Sequence, residues 1–395
     1  MEHFILENFG PIRKADVGFG DLTILIGPQA SGKSLYLEML KLMIDRNQIL
    51  EVLRKYNYIV DKYDSRNIVE IYFGEGMGNI IRDETATNID GEAIDSSKLL
   101  KLLRTPSGKG RTARESVFYI PAQRIMSVDD GRARNFMEFN ISSPYVLRNF
   151  SETLRIFVQG GLGNPDVIFP MNNRLKGMTK RAIDDSIFHN SQVIIDKSSG
   201  QRKMKLSVDR ISIPFMAWSA GQKEFLPLLL SFYYLSKVPN SIAGAQNYQT
   251  VIIEEPEMGL HPKAILSVIM EIIDLMAAGY RIIISTHSPV FLEFAWAFNE
   301  LQKVNLSHEE MVSTLCDMFE VKRTATIARS LDLIAEKKVS TFLFSPGRKD
   351  HKVVTKDISS LDAGDSDPAI AEWGGLSHFS AKVTDAVLKH AGEDL

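Results

Sequence analysis

The stretch LTILIGPQASGKSLYLEML, residues 22–40, decides the fold of this chain. An apolar run, Leu22–Ile26, leads into a glycine-rich turn that ends in Gly32, Lys33 and Ser34, and an amphipathic stretch follows. The spacing fits GxxxxGK[ST] in the order strand, loop, helix, which points backbone N–H groups and the positive end of a helix dipole at a polyphosphate. We therefore predict a nucleotide site instead of an ordinary strand-to-helix turn with an exposed lysine.

Two side chains of this loop have separate predicted roles. Lys33 can reach the β- and γ-phosphates, and the Ser34 hydroxyl can ligate Mg²⁺. The predicted nucleotide-binding residues of the loop are Gly27, Pro28, Gln29, Ala30, Ser31, Gly32, Lys33, Ser34 and Leu35.

The composition limits the class of protein and the cellular compartment in which this site can occur. The 395 residues are 44% hydrophobic and 24% charged, which is typical of a soluble globular protein. The net charge of −3 requires any nucleic-acid contact to use a local basic patch. A single cysteine, Cys316, excludes an internal disulfide and suits a reducing compartment. The longest apolar stretch, FLPLLLSFYYL from Phe225, is too short to span a bilayer. We expect a cytoplasmic protein without a membrane partner.

Apolar patterning predicts most elements of the chain. Strands are expected at HFILENF, KADVGF, LTILIG, NIVEIYFGEG, NIIRDET, SVFYI and KMKLSVDRISIPF, and a helix is expected from the phosphate loop to about Tyr56. The segment TFLFSPGRKDHKVVTKDIS predicts a β-hairpin. The predicted domains are 1–56, an N-terminal lobe with the phosphate loop; 57–215, an inserted lid region; 216–300, a C-terminal lobe; and 301–395, a helical and hairpin extension.

A pair of acids follows a buried strand in TVIIEEPEMGLHPKA, which starts at Thr250. Neighbouring strand residues point to opposite faces, so Glu254 and Glu255 can have different roles. Glu254 can hold the Mg²⁺ shell, and Glu255 can polarise a water against the γ-phosphate. The alternative is two solvent-facing charges at a strand end.

A third motif, STHSPVF, places His287 after another apolar strand. The carboxyl edge of an open α/β sheet is where ligands bind. His287 can donate a hydrogen bond to a γ-phosphate oxygen or to the attacking water. A structural histidine is the alternative.

A fourth motif, WSAGQKEFLPLLL, puts Ser219, Gly221 and Gln222 at the start of an apolar helix. A helix N-terminus with small residues and a hydroxyl can bind an anion. The alternative is that Ser219 is only a helix cap.

The order of these motifs resembles that of ATP-binding-cassette ATPases. The chain resembles the OLD, SMC and RecF branch, and most closely the compact AAA15/AAA21-type ATPases of bacterial anti-phage systems. The resemblance is carried by ILENFGPI, GPQASGKS, FYIPAQR, WSAGQKE, IIEEPEMGLHP and STHSPVF. It implies ATP as the nucleotide and an α/β fold. The expected core is an ABC-type P-loop ATPase core, a mixed sheet flanked by helices, with an inserted lid region of helices and strands.

The resemblance also implies an assembly. In such ATPases the SAGQ segment of one protomer completes the phosphate site of the other, which gives a head-to-tail homodimer or a higher oligomer around ATP. Ser219 and Gly221 would act in trans, and Gln123 of PAQR would sense Mg²⁺ and the attacking water. Transporter ATPases usually have aspartate where Glu254 stands, which points away from transport.

Two functional classes are in contention beyond ATP hydrolysis. The acids in SSLDAGDSDPA lie in a predicted turn and suggest no nuclease site, so an effector, a nuclease or toxin, would be a separate protein. The alternative is a RecF- or SMC-like ATPase that engages DNA in repair. For that role the basic stretches KLLRTPSGKGRTAR and RLKGMTKR would contact phosphates.

Overall fold

The computed structural model describes residues 1–60, 64–104, 114–162, 166–171, 173–198, 200–236, 248–304, 306–347 and 349–391. The strands are β1 (His3–Phe9), β2 (Ile12–Gly18), β3 (Leu22–Ile26), β4 (Ile81–Ile89), β5 (Glu92–Asp95), β6 (Val117–Ile120), β7 (Val128–Asp129), β8 (Arg132–Ala133), β9 (Val167–Phe169), β10 (Gln192–Asp196), β11 (Lys203–Val208), β12 (Ile211–Pro214), β13 (Thr250–Glu254), β14 (Arg281–Ser285), β15 (Val339–Pro346) and β16 (Val353–Asp357).

Twelve α-helices lie among the described residues. They are α1 (Lys33–Lys55), α2 (Ser65–Phe73), α3 (Ser96–Arg104), α4 (Tyr145–Ile156), α5 (Gly177–Ile183), α6 (Ala220–Leu235), α7 (Pro262–Ala277), α8 (Pro289–Lys303), α9 (His308–Met318), α10 (Ala325–Ile334), α11 (Pro368–Ala371) and α12 (His378–Ala391). None of the helices among the described residues is long and apolar enough to cross a membrane.

One large mixed sheet organises the molecule, with the strand order β5-β4-β1-β2-β16-β15-β3-β14-β13-β6. Strands β15, β3, β14, β13 and β6 are successively parallel, and we call them the parallel half. Strands β5, β4, β1 and β2 are successively antiparallel, and we call them the antiparallel half. Strand β16 joins the two halves, because it pairs antiparallel with β15 and parallel with β2. The predicted α/β fold with helices flanking a mixed sheet is confirmed.

The parallel half is buried on both faces. Every residue of β3 and of β13 is buried. Alternate residues of β3 enter different cores: Ile24 packs in one hydrophobic cluster and Leu25 in the other. A sheet covered on both faces needs continuous apolar runs, which explains the sequence LTILI.

A buried polar network fixes the edge strand β6 to α1. The Lys41 ammonium donates to the Glu115 carboxylate and to the carbonyl of Val117, the latter at 2.7 Å. Asp45 accepts the N–H of Val117 at 3.0 Å and is ion-paired with Lys41. Breaking a buried ion pair of this kind typically costs about 3–5 kcal/mol. The network thus sets the position of the segment that follows β6.

Residues 57–215 contribute strands to three sheets, of which the smallest pairs only β7 with β8. Strands β4, β5 and β6 belong to the large sheet, whereas β9, β10, β11 and β12 form a separate four-stranded antiparallel sheet in the order β12-β11-β10-β9. The domain boundaries given above stay a prediction.

The predictions for the first three strands and for a helix to about Tyr56 are confirmed, and the predicted hairpin is β15 and β16. The strand prediction for NIVEIYF is wrong, because this segment is helix α2. Asp64 caps α2 by accepting the N–H of Arg66, and Gly74 follows its end. Its apolar residues recur at helical spacing and pack into the core beside the antiparallel half.

Candidate active site

The phosphate loop connects β3 to α1 and depends on two glycines. Gly27 has a φ of 146°, and a Cβ there would lie 2.4 Å from the carbonyl oxygen of Phe344 in β15. Gly32 caps α1 in the left-handed region with a φ of 84°. Both conformations favour glycine, and the close approach to β15 excludes any side chain at Gly27. The central strand β15 therefore shapes the start of the loop.

Lys33 is the first residue of α1 and is only 6% exposed. Its ammonium donates to the carbonyl oxygens of Gly27 at 2.8 Å and Pro28 at 3.2 Å, and it lies 3.2 Å from Nε2 of His287. Burial lowers the pKa of Lys33, and the nearby carboxylates, Glu255 first, oppose that shift. The structure therefore surrounds the charge of Lys33 with acceptors.

Glu254 ends β13 and is 2% exposed. Its Oε2 accepts the N–H of Ala122 at 3.3 Å, whereas Oε1 is buried without a partner in hydrogen-bonding geometry among the described residues. Burial raises the pKa of Glu254, and the Ser34 hydroxyl and the Ala122 N–H partly counter that rise. The predicted metal ligands Ser34 and Glu254 are therefore neighbours.

This environment fits Mg²⁺ that arrives with a nucleotide. No cluster of three or more His, Cys, Asp or Glu side chains suited to a metal is found in the described ranges. Mg²⁺ in phosphate sites usually takes only one or two protein ligands, because phosphates and waters complete its octahedron. The unpartnered Oε1 of Glu254 and the Ser34 hydroxyl supply such ligands.

Glu255 lies one residue beyond β13 in a strained conformation. Its φ is 44°, which is uncommon for a residue with a side chain, and its N–H donates to the carbonyl of Ser285 at 2.8 Å. The carboxylate Oε1 is 3.3 Å from Nε2 of His287. Burial and the adjacent Glu257 raise the pKa of Glu255 to about 8. A carboxylate with raised proton affinity in a cleft is suited to act as a general base.

Glu257 is a site residue that we did not predict. Its Oε1 accepts the Thr286 hydroxyl at 2.7 Å and the His287 N–H at 2.6 Å. The acid therefore ties the segment after β13 to the segment after β14. The signal in the sequence that could have indicated Glu257 was its place two residues after Glu255 in the EEPE run.

Burial and Lys33 lower the pKa of His287, while Glu257 raises it.

The segment after β6 also reaches the site. Gln123 is exposed and follows Ala122, whose N–H contacts Glu254. Arg124 is fully buried, and its guanidinium donates to the carbonyls of Glu254 and Glu255, each at 3.0 Å. The catalytic and metal roles of Gln123 stay predictions. We did not predict a role for Arg124, although it stands in the PAQR motif.

The start of α6 forms a capping box. Ser219 accepts the N–H of Gln222 at 3.3 Å, and the Gln222 side chain accepts the N–H of Ser219 at 3.2 Å. Gly221 lies against the loop after β13, where a Cβ would be 2.7 Å from the carbonyl of Gly259. The helix-cap interpretation of Ser219 is confirmed, and this does not exclude a further role. Nucleotide binding in trans by Ser219, Gly221 and Gln222 stays a prediction.

Comparison with known families matches most of this chain to a described domain. The family described as "AAA domain, putative AbiEii toxin, Type IV TA system" matches residues 22–293, more than half of the chain. The chain belongs to this AAA-domain family. This confirms the resemblance to P-loop ATPases of the AAA21 type. The matched range includes the phosphate loop, the acidic pair and His287.

The individual proteins similar to this AAA domain match it over a short stretch or at low sequence identity. The Old nuclease of Escherichia phage P2 is 40% identical over 70 residues, which are 18% of this chain and 12% of the nuclease. A crystal structure of an SMC head bound to the C-winged helix domain of ScpA has 11% identity and a TM-score of 0.40, covering 90% of this chain and 97% of that one. The SMC head domain from Thermotoga maritima has 12% identity and a TM-score of 0.34, covering 74% and 90%.

In this AAA domain the four sequence motifs converge only in part. Lys33, Glu255 and His287 meet through contacts of 3.2 and 3.3 Å. Ser34 and Glu254, the predicted metal ligands, are neighbours next to them. The recorded side-chain contacts of Ser219 and Gln222 are local to α6 and to the carbonyl of Ile187. The Lys33 ammonium, the Glu255 carboxylate and the His287 ring therefore lie together at one edge of the sheet.

Proposed function

We propose that this chain hydrolyses ATP with Mg²⁺, forms a homodimer with ATP at the interface, and controls a separate effector protein in anti-phage defence. The observation that carries the ATPase proposal is the contact of His287 with both Lys33 and Glu255 at the carboxyl ends of parallel strands. Lys33 follows β3, Glu255 follows β13 and His287 follows β14, and these strands are adjacent in the sheet.

The residues divide the chemistry of hydrolysis between them. Glu255 accepts a proton from water as the water oxygen bonds to the γ-phosphorus and the bond from phosphorus to the ADP oxygen breaks. Lys33 stabilises negative charge on the β- and γ-phosphate oxygens. His287 donates a hydrogen bond from its ring to a phosphate oxygen or to the water. Bound Mg²⁺, held by Ser34 and Glu254 with Gln123 as a further ligand, supplies additional positive charge at the phosphates.

The homodimer follows from the predicted role of the SAGQ segment. Ser219 and Gly221 stand at the N-terminus of α6, and their contacts are with Gln222 and Gly259 of their own subunit. A γ-phosphate of a second subunit can use the free N–H groups of this helix terminus. ATP held between two subunits would make association depend on the nucleotide state, which is the property that an effector could detect.

The variant Glu255→Gln tests the ATPase and the dimer together. The amide keeps the size of the side chain but cannot accept the proton, so hydrolysis is expected to fall about 10²-fold or more, the usual contribution of a general base. Mg²⁺-ATP binding should persist because Lys33, Ser34 and Glu254 are unchanged. The ATP-bound dimer should accumulate in sedimentation.

A matched control is Glu92→Gln, at an exposed glutamate of β5 paired with Lys98. It should hydrolyse ATP at the parental rate. Parental turnover by Glu255→Gln would remove Glu255 as the base. A monomeric Glu255→Gln protein at saturating ATP, with a parent that dimerises, would remove the ATP-bridged dimer.

The alternative function is an ATPase that engages DNA. Two of the basic residues predicted to contact DNA phosphates are instead bonded to groups of the protein itself. Arg174 of the RLKGMTKR stretch donates to the carbonyl of Tyr233 at 3.1 Å, and Lys176 pairs with Asp274 at 2.6 Å. These two cations are engaged within the protein. Residues 105–113 of the other basic stretch lie outside the described residues. DNA binding that weakens steeply with salt, together with faster hydrolysis on DNA, would favour this alternative.

A further inference from the structure

Three segments of the AAA domain meet at the buried side chain of Arg124. Its Nε donates to the carbonyl of Glu224 in α6 at 3.1 Å. Its two terminal nitrogens donate to the carbonyls of Glu254 and Glu255, each at 3.0 Å. Arg124 itself follows Gln123 at the start of a 3₁₀ turn. One guanidinium therefore connects the segment after β6, the end of β13 and the first turns of α6.

The start of α6 also touches the loop after β13 directly. A Cβ at Gly221 would lie 2.7 Å from the carbonyl oxygen of Gly259, and a Cβ at Gly259 would lie 3.3 Å from Cγ of Glu224. The first is a backbone approach that leaves no space for a side chain at Gly221, and the second is a tight contact with the Glu224 side chain. A rigid displacement of the start of α6 would therefore press on the loop that begins at Glu255.

We propose that Arg124 is a positioning residue that couples the start of α6 to Glu254 and Glu255, so that contact of α6 with a partner's nucleotide adjusts the catalytic carboxylate of its own subunit. This inference deepens the proposed function and rests on it. It assigns the coupling to a residue that touches neither the nucleotide nor the reacting water.

The geometry requires arginine in particular. The planar guanidinium presents donors in a fixed fork, so that three carbonyls on two segments are held at once. A lysine ammonium in the same place keeps the charge but has a single nitrogen and a flexible stem. Removing the donors breaks the three hydrogen bonds between Arg124 and the carbonyls of Glu224, Glu254 and Glu255, which loosens the connection between the two segments.

The experiment compares Arg124→Lys and Arg124→Gln with the parent in steady-state hydrolysis and in equilibrium binding of Mg²⁺-ATP. The kcat is expected to fall about tenfold in Arg124→Gln and less in Arg124→Lys, while the ATP Kd stays within about threefold. A merely structural loss would weaken ATP binding and hydrolysis together. The control Arg132→Lys, at a half-exposed arginine paired with Glu138, should keep the parental kcat.

Introducing the same substitutions into Glu255→Gln separates the coupling from the dimer itself. ATP-dependent dimerisation of Arg124→Lys/Glu255→Gln should require a higher ATP concentration than that of Glu255→Gln alone. If Arg124→Gln does not fold, Arg124→Lys carries the test in both backgrounds. An unchanged kcat in the folded variant, or a loss of kcat matched by an equal loss of ATP affinity, would overturn the coupling.

Failure of the proposed function gives a different result. Glu255→Gln would then remain monomeric with saturating ATP whichever residue stands at 124. A selective fall of kcat in Arg124→Lys under those conditions would reduce the role of Arg124 to positioning Glu254 and Glu255 within one subunit.

Discussion

The two halves of the large sheet differ in what they contribute. The parallel half presents the ends of β3, β13, β14 and β6 at one edge, and the phosphate loop, the acidic pair, His287 and Gln123 follow those ends. The antiparallel half contains none of the predicted site residues. Its neighbouring strands run antiparallel, with hairpins joining β1 to β2 and β4 to β5, so successive strands end at opposite edges. Convergence of several motifs at one point is therefore a property of the parallel half, whereas the antiparallel half completes the core.

The largest expected effect belongs to Lys33, which follows strand β3 of the parallel half. Lys33→Ala removes two charge-assisted hydrogen bonds to phosphate, each worth about 2 kcal/mol, so ATP affinity should fall about 10³-fold in calorimetry. Lys14→Ala in β2, which removes an exposed partner of Glu7, should leave the ATP Kd unchanged. Equal ATP affinity of Lys33→Ala and the parent would end the assignment of the phosphate site.

Truncation of a core residue in the antiparallel half should lower the stability of the protein and leave its ATP affinity unchanged. Leu6 in β1 is fully buried, and Leu6→Ala should lower the free energy of unfolding by about 3 kcal/mol because of the cavity it leaves. The ATP Kd should stay within about twofold at a temperature where the variant is folded. Denaturant unfolding and calorimetry measure the two quantities. A large change of Kd in the folded variant would contradict the separation of the halves.

A smaller effect is expected from the acid that links the ends of β13 and β14. Glu257→Gln keeps one acceptor for Thr286 and the His287 N–H but loses the charge that strengthens both bonds. We expect kcat to fall about tenfold and the ATP Kd to change by less than about threefold. Glu7→Gln in β1 is the matched control. A parental kcat would show that Glu257 does not position His287.

The smallest effect concerns a buried acid of helix α7, which packs against strand β14 of the parallel half, outside the site. Glu271 of α7 is fully buried with Oε1 unpartnered among the described residues, and burial together with Asp274 raises its pKa well above the ordinary value. The folded state then keeps a proton that the unfolded state loses above about pH 4.5, so this group makes the parent less stable as pH rises from 5 to 8.

Glu271→Gln mimics the protonated acid, so it should raise the free energy of unfolding by about 1 kcal/mol more at pH 8 than at pH 5. Lys176, which is paired with Asp274 and opposes the shift, limits the gain. Unfolding at the two pH values measures the effect, and Glu300→Gln, at a surface ion pair with Lys303, is the control. The same gain at both pH values would show that Glu271 is ionised in the folded protein.

Local patterns predicted the strands of the parallel half. The runs LTILI, TVIIE and RIIIS are continuous apolar strands, and a polar motif follows each of them, so their meeting at one edge follows from the α/β topology. The NIVEIYF segment misled because its β-branched and aromatic residues favour a strand, whereas the Asp64 cap and packing against the core make it a helix. The contacts of Arg124 could not be predicted, because its three acceptors are backbone carbonyls. Every residue type has a backbone carbonyl, so the sequence does not show which ones Arg124 contacts.

The position of the hairpin also could not be predicted from its own sequence. A run of alternating apolar residues indicates a strand but not its neighbour in the sheet. Strand β15 lies directly beside β3, and its Phe344 carbonyl is the group that approaches Gly27.

That placement has a consequence for synthesis on the ribosome. The phosphate loop is made within the first tenth of the chain, but its neighbouring strand β15 starts at Val339. A nascent chain that still lacks Val339 has an open edge on β3, and β16 has not yet connected the two halves. Pairing between segments so distant in sequence forms slowly. The nucleotide site should therefore acquire its native shape only after β15 has been synthesised and has paired with β3.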